Sequence, residues 1–96
     1  MIFAELEYPE HYSDFHDELV EFIQSTFPDI QYGHQGDSWI WITDSKEKVE
    51  IDTFTSMKHQ IKSAHDGNLL QKVMAVLSAK YKLRVYETPE LEGHED

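Results

Sequence analysis

Apolar and polar residues alternate from the start of the chain. Ile2, Ala4 and Leu6 fall on one side, and Phe3, Glu5 and Glu7 on the other. A period of two predicts a strand, which Pro9 ends. The period then lengthens: Phe15, Leu19, Phe22, Ile23 and Thr26 recur at helical spacing and predict a helix with one buried stripe. Ser13 is its expected N-cap, with Asp14, Asp17 and Glu18 in the first turns, where carboxylates complement the helix dipole. Pro28 stops it. Ile30 and Tyr32 suggest a short extended piece before Gly33-His34-Gln35-Gly36, read as a loop whose glycines supply unusual backbone angles.

Two β-type runs, Trp39-Ile40-Trp41-Ile42-Thr43 and Lys48-Val49-Glu50-Ile51-Asp52-Thr53, flank Asp44-Ser45-Lys46-Glu47. A hairpin turning at Ser45 and Lys46 pairs Ile42 with Val49, Ile40 with Ile51, Trp41 with Glu50, Trp39 with Asp52, and Asp37 with Phe54. One face is then aliphatic and the other mixes tryptophan with acid, and a slip of one residue would scramble both. Residues 54–65 fit no single period: Met57, His59 and Ile61 alternate, so the second strand continues or the chain loops. Asp66 is the expected cap of a second helix, whose stripe is Leu70, Val73, Met74, Leu77 and Tyr81. Lys82 to Tyr86 reads as a closing strand. Pro89 begins an acidic tail, residues 89–96, expected to be flexible, so residues 1–88 make one α+β domain.

The order β-α-β-β-α-β, with right-handed crossovers around a hairpin, predicts a four-stranded antiparallel sheet with two helices on one face. It resembles the ferredoxin-like split βαβ arrangement, a superfold that hosts many unrelated functions and implies none of them.

Charge adds a second layer. The formal net charge is -11, and all eight Lys and Arg residues lie at or after Lys46, so the first 45 residues carry carboxylates without a cation. Such a field opposes binding to nucleic acid or anionic membrane and favours basic partners. Cysteine is absent, which removes disulfides and thiolate metal sites. With no apolar run near the roughly 18 residues of a membrane span and no signal-peptide pattern, the expected compartment is the cytoplasm.

Three constellations are candidates for function. The first is the open sheet face, with Phe3, Trp39, Trp41, Glu50, Asp52, Phe54, Arg84 and Tyr86 directed away from the helices. Contiguous exposed aromatics mark interfaces, and this face points to a non-enzymatic binding or regulatory module that associates with itself or with a protein partner. The opposing expectation is that the tryptophans lie flat beneath the tail or the segment 57–65. The second is the acidic face of helix one, Glu10, Asp14, Asp17, Glu18 and Glu21, whose like-charge pairs four apart suit an inhibitor or immunity-type protein docking a basic partner. The third is Lys58, His59, Lys62 and His65 ahead of a helix N-terminus, a potential anion site or small enzyme centre. No nucleotide loop or nucleophile elbow is present, and the histidine spacing supports no metal site, so neither cofactor nor metal is expected.

Overall fold

A computed structural model describes residues 1–91. In chain order the elements are β1 (Ile2–Glu7), α1 (Tyr12–Gln24), β2 (Gln31–Gln35), β3 (Asp37–Asp44), β4 (Glu47–Asp52), β5 (Gln60–Ser63), α2 (Asn68–Ser78) and β6 (Lys82–Glu90). The α+β class and the two helices are as expected from sequence, but the sheet has six strands, not four. Their order is β2-β3-β4-β5-β1-β6, with every neighbouring pair antiparallel.

The two additional strands come from segments with weak alternation. β2 runs straight through Gly33 and His34, which the glycine content had suggested were a loop, and turns at Gly36, whose φ is +78°. The absence of a side chain at Gly33 is what permits this pairing: a Cβ there would meet Trp39 Cζ2 at 2.5 Å, so the indole lies across the glycine of the neighbouring strand. β5 forms after the chain leaves β4 at Asp52. Thr53 donates its N–H to Ser38 O, and Phe54 belongs to the following loop, not to a pair with Asp37.

The central hairpin has the register read from the sequence: Ile42 opposite Val49, Ile40 opposite Ile51, Trp41 opposite Glu50 and Trp39 opposite Asp52. Ser45 opens its turn with a φ of 55°. Ile40, Ile42, Val49, Ile51, Ile61, Ala4 and Leu6 form one core cluster with Phe15, Leu19 and Ile23 of α1 and Leu70, Val73 and Leu77 of α2. Both helices therefore cover the same side of the sheet, and burial of these side chains supplies the main stabilisation, at roughly 1.5–3 kcal/mol for each large aliphatic.

Both helix caps differ from expectation. α1 is capped by His11, whose Nδ1 accepts the Ser13 N–H at 3.2 Å, while Ser13 Oγ hydrogen-bonds His34 Nε2 on β2 at 3.2 Å. α2 begins after Gly67, which has no side chain to cap it, and Asp66 accepts from Gln71 Nε2 instead. The orphan N–H of Leu69 is met from a distance by Glu47 Oε2, at the start of β4, at 3.2 Å. At the C-terminal end, Pro89 and Glu90 lie within or at the end of β6 and not in a tail. Residues 92–96 of the predicted tail lie outside the described residues.

Candidate functional site

Pairing registers arrange the outer face, opposite the helices, in two rows across the sheet. One runs Gly33, Trp39, Asp52, Gln60, Glu5, Arg84; the other runs Gln31, Trp41, Glu50, Lys62, Ile2, Glu90. Alternation along each strand follows from the pleat. Phe3 is the exception among the residues predicted for this face. The register of β1 shifts between Ile2 and Ala4, which puts Ile2 opposite Lys62 on the outer side and sends Phe3 into the core cluster.

The middle of this face is closed. Lys62 Nζ donates to Asp52 Oδ1 at 2.6 Å, and both side chains are almost wholly buried. The loop from Thr53 folds back over the pair. The Phe54 N–H donates to Asp52 Oδ1, Thr55 Oγ1 to Gln60 Oε1 at 2.8 Å, and Ser56 Oγ to Glu5 Oε1 at 2.6 Å. Phe54 is left 49% exposed, with its ring 5.8 Å from Lys62 Nζ.

On one side of this plug stand Trp39 and Trp41, partly exposed, with ring centroids 4.7 Å apart, and Glu50 beside them. Lys48 Nζ sits 3.9 Å over the Trp41 ring, and Trp41 Nε1 is buried without an acceptor among the described residues. On the other side Arg84 donates to Glu5 Oε2 at 2.5 Å and lies 5.0 Å from the Tyr86 ring. The structure thus brings Trp39, Trp41 and Glu50 together, buries Asp52, and sets Arg84 and Tyr86 apart from the tryptophans.

The second constellation lies on and just before α1. Glu10, Asp14, Asp17, Glu18 and Glu21 are all exposed. Glu18 Oε2 accepts the Tyr81 hydroxyl at 3.0 Å, and burial together with this carboxylate pushes the Tyr81 phenol up. The third constellation is dispersed and makes no anion site. Lys58 Nζ is bound to the carbonyls of Tyr8 and Glu10 at 2.6 and 2.9 Å, His59 is in the core, Lys62 is paired with Asp52, and His65 is exposed near Glu47.

His59 instead belongs to a buried polar chain that the sequence analysis missed. Its Nδ1 lies 2.7 Å from the Tyr8 hydroxyl and its Nε2 2.7 Å from Ser38 Oγ, which in turn lies 2.5 Å from His16 Nδ1. The His59 backbone N–H also donates to Tyr8 Oη. The proton order that satisfies these atoms is Tyr8 O–H to His59 Nδ1, His59 Nε2–H to Ser38 Oγ, and Ser38 O–H to His16 Nδ1. Burial, with the nearby His16, His34 and Lys58 charges, pushes His59 down to about 3, and burial lifts Tyr8 to about 12. His16 is lowered by burial and by His34. The chain is therefore neutral at pH 7. Ser38 and His59 have no exposed surface, so the serine is a satisfied core hydroxyl and not an accessible nucleophile. Its signal was a polar residue at an inward position: Ser38 shares the parity of Ile40 and Ile42, and His59 that of Ile61.

Among the described residues no group of three or more His, Asp or Glu side chains is placed to hold a metal, and no helix is long and apolar enough to cross a membrane. The chain matches no known family model, no curated protein and no solved structure.

Proposed function

We propose that this chain is a non-enzymatic cytoplasmic binding module that docks a protein partner through the Trp39/Trp41 end of the outer sheet face. The observation that carries this is the pair of adjacent, partly exposed indoles on the side of the sheet that neither helix of the described residues covers. Tryptophan supplies large contact area at low conformational cost and dominates interface energetics. Phe54, half exposed above the Asp52–Lys62 plug, extends the apolar surface. Glu50 beside the rings and the net charge of -11 make a phosphate backbone a poor occupant. The burial of Ser38 and the separation of Lys58, Lys62 and His65 speak against catalysis.

A second reading has its own support. Asp14, Asp17 and Glu21 on α1 have no described cation within ion-pair distance, as suits a surface that meets a basic partner. Capture from cell extract separates the two. The native chain is expected to retain a protein that an equally folded Trp39→Ser variant releases, with retention little changed as salt rises. Identical capture by both chains overturns the sheet-face reading. Retention that collapses with salt and is lost on Asp14→Lys, Asp17→Lys assigns binding to α1.

A further inference from the structure

The sheet ends on two edges, and only one is protected. β6 carries Lys82, Arg84 and Pro89, and its register against β1 shifts between Ile2 and Ala4. Charge, proline and irregular pairing are the usual means of keeping a free edge from joining another strand. β2 has none of them. Its five residues pair with β3 without a break, and in a chain with 19 Asp and Glu it is the one described strand without Lys, Arg, Asp or Glu. Among the described residues β3 is its only neighbour.

The bonds of Ser38 fix which backbone groups of β2 turn outward. Ser38 accepts the Thr53 N–H on its carbonyl and donates its own N–H to Thr53 Oγ1, so both groups point toward β4. In an antiparallel strand this direction alternates from residue to residue. Trp39 and Trp41 therefore bond toward β2, to Gly33 and Gln31, while Tyr32 and His34, opposite Ile40 and Ser38, turn N–H and C=O to the free edge. Groups so spaced match an extended backbone. Gly33 narrows the choice of strand further. The Trp39 indole lies over it on the outer side, and a residue added beside Gly33 would point its side chain at that ring. A strand with its own glycine at that position leaves the indole room, and a second β2 is such a strand.

We propose that two copies of this chain pair β2 to β2, antiparallel about a two-fold axis at Gly33, joining two six-stranded sheets into one. Tyr32 then exchanges both backbone hydrogen bonds with His34 of the second copy, and His34 with Tyr32 of the second copy. On the helix side this sets an imidazole beside Tyr32, which is 47% exposed in the single chain. On the outer side Gly33 meets Gly33, and the two Trp39 indoles, each over its own glycine, approach across the axis. Gln31 stands opposite Gln35 of the second copy, where each amide can both donate and accept. No charged residue takes part in the seam. The axis runs perpendicular to the sheet, so both outer faces lie on one side and the Trp39/Trp41 pairs of the two copies join at its centre. The dimer enlarges the surface proposed for a partner and does not depend on that reading.

By light scattering at high micromolar concentration, the native chain is expected at twice its 11.3 kDa mass. Tyr32→Pro removes an N–H that points away from β3 and should return the single mass with circular dichroism retained. The chain has no cysteine, so introduced thiols read the register. Gln31→Cys and Gln35→Cys, mixed and oxidised with copper–phenanthroline, are expected to give a disulfide-linked dimer, because the two positions face each other as a non-hydrogen-bonded pair. Either variant alone is expected to stay unlinked, since the two copies of residue 31 lie about 13 Å apart along the strands, as do those of residue 35. Should Tyr32→Pro lose its fold, the thiols decide alone. A native chain at single mass overturns the proposal, as does a dimer that survives Tyr32→Pro, or single variants that cross-link as readily as the mixture. Capture of another protein by the tryptophan end is scored separately and can succeed or fail at either mass.

Discussion

The two faces of the sheet bury polar groups by opposite means. On the helix side, Tyr8, His59, Ser38 and His16 form a neutral chain in which each hydrogen has one acceptor, with the Phe15 ring stacked on Tyr8 and close to His59. On the outer face, Asp52 and Lys62 are a full ion pair, sealed by a loop and not by a helix. A neutral chain avoids the desolvation of charge but is vulnerable to protonation. An ion pair depends on both partners, because either one alone is a buried charge. Polar burial here follows the cover: helix α1 over the neutral groups, a hydrogen-bonded loop over the charged ones.

The largest expected effect is that of acid on the inner face. His59 stays uncharged in the folded state down to about pH 3, while the unfolded chain takes up that proton near 6.5. Between these values the unfolded state binds more protons. The stability present above 6.5 is therefore lost as pH falls, at up to about 1.4 kcal/mol per pH unit and several kcal/mol over the window. Urea unfolding of the native chain and of His59→Gln at a series of pH values checks this: the native curve should be the steeper, and parallel curves would remove His59 as the cause. On the outer face, Lys62→Met leaves the Asp52 carboxylate buried without its lysine and should cost about 3–5 kcal/mol, whereas the double variant Asp52→Leu, Lys62→Met should recover most of that loss. Failure of the double variant to recover would mean that the lysine matters for its packing and not for its charge.

Smaller effects sharpen the contrast. Ser38→Ala interrupts the inner chain at its middle atom and should cost about 1–3 kcal/mol by thermal unfolding, because it strips a buried partner from two imidazoles. Trp41→Phe should change stability by less than about 1 kcal/mol, since it deletes an N–H that has no acceptor among the described residues along with part of a ring that lies under Lys48.

What could be read from sequence was whatever depended on strong local periodicity. The hairpin register and both helix stripes needed only the alternation of Ile40, Ile42, Val49 and Ile51 and the spacing of Phe15, Leu19, Leu70 and Leu77. What could not be read depended on pairs far apart in the chain. β2 can pair with β3 because Gly33 leaves room for the Trp39 indole, which makes this glycine a requirement of pairing and not a breaker. Phe3 turns inward because of a register shift that no local pattern encodes. The plug over Asp52 and the His59–Ser38–His16 chain join segments up to several tens of residues apart, and single-residue propensities carry no trace of such meetings. For the candidate face, the tryptophans and Glu50 were correctly placed side by side, while the burial of Asp52 depended on a loop whose path the sequence left open.

The remote cap of α2 bears on the order of folding events. α2 opens at a glycine, and the acceptor for the Leu69 N–H is Glu47, 22 residues earlier and just past the hairpin turn. An isolated helix of eleven residues is too short to persist in water, and this one also begins without a local nucleating cap. Its first turn is therefore completed only once the β3–β4 hairpin has closed and presents the carboxylate. The expected outcome in stopped-flow refolding is that substitutions in the Ser45–Lys46 turn slow folding more than substitutions on the exposed side of α2, which should act chiefly on the rate of unfolding; equal effects on the folding rate would remove the hairpin from its place ahead of α2.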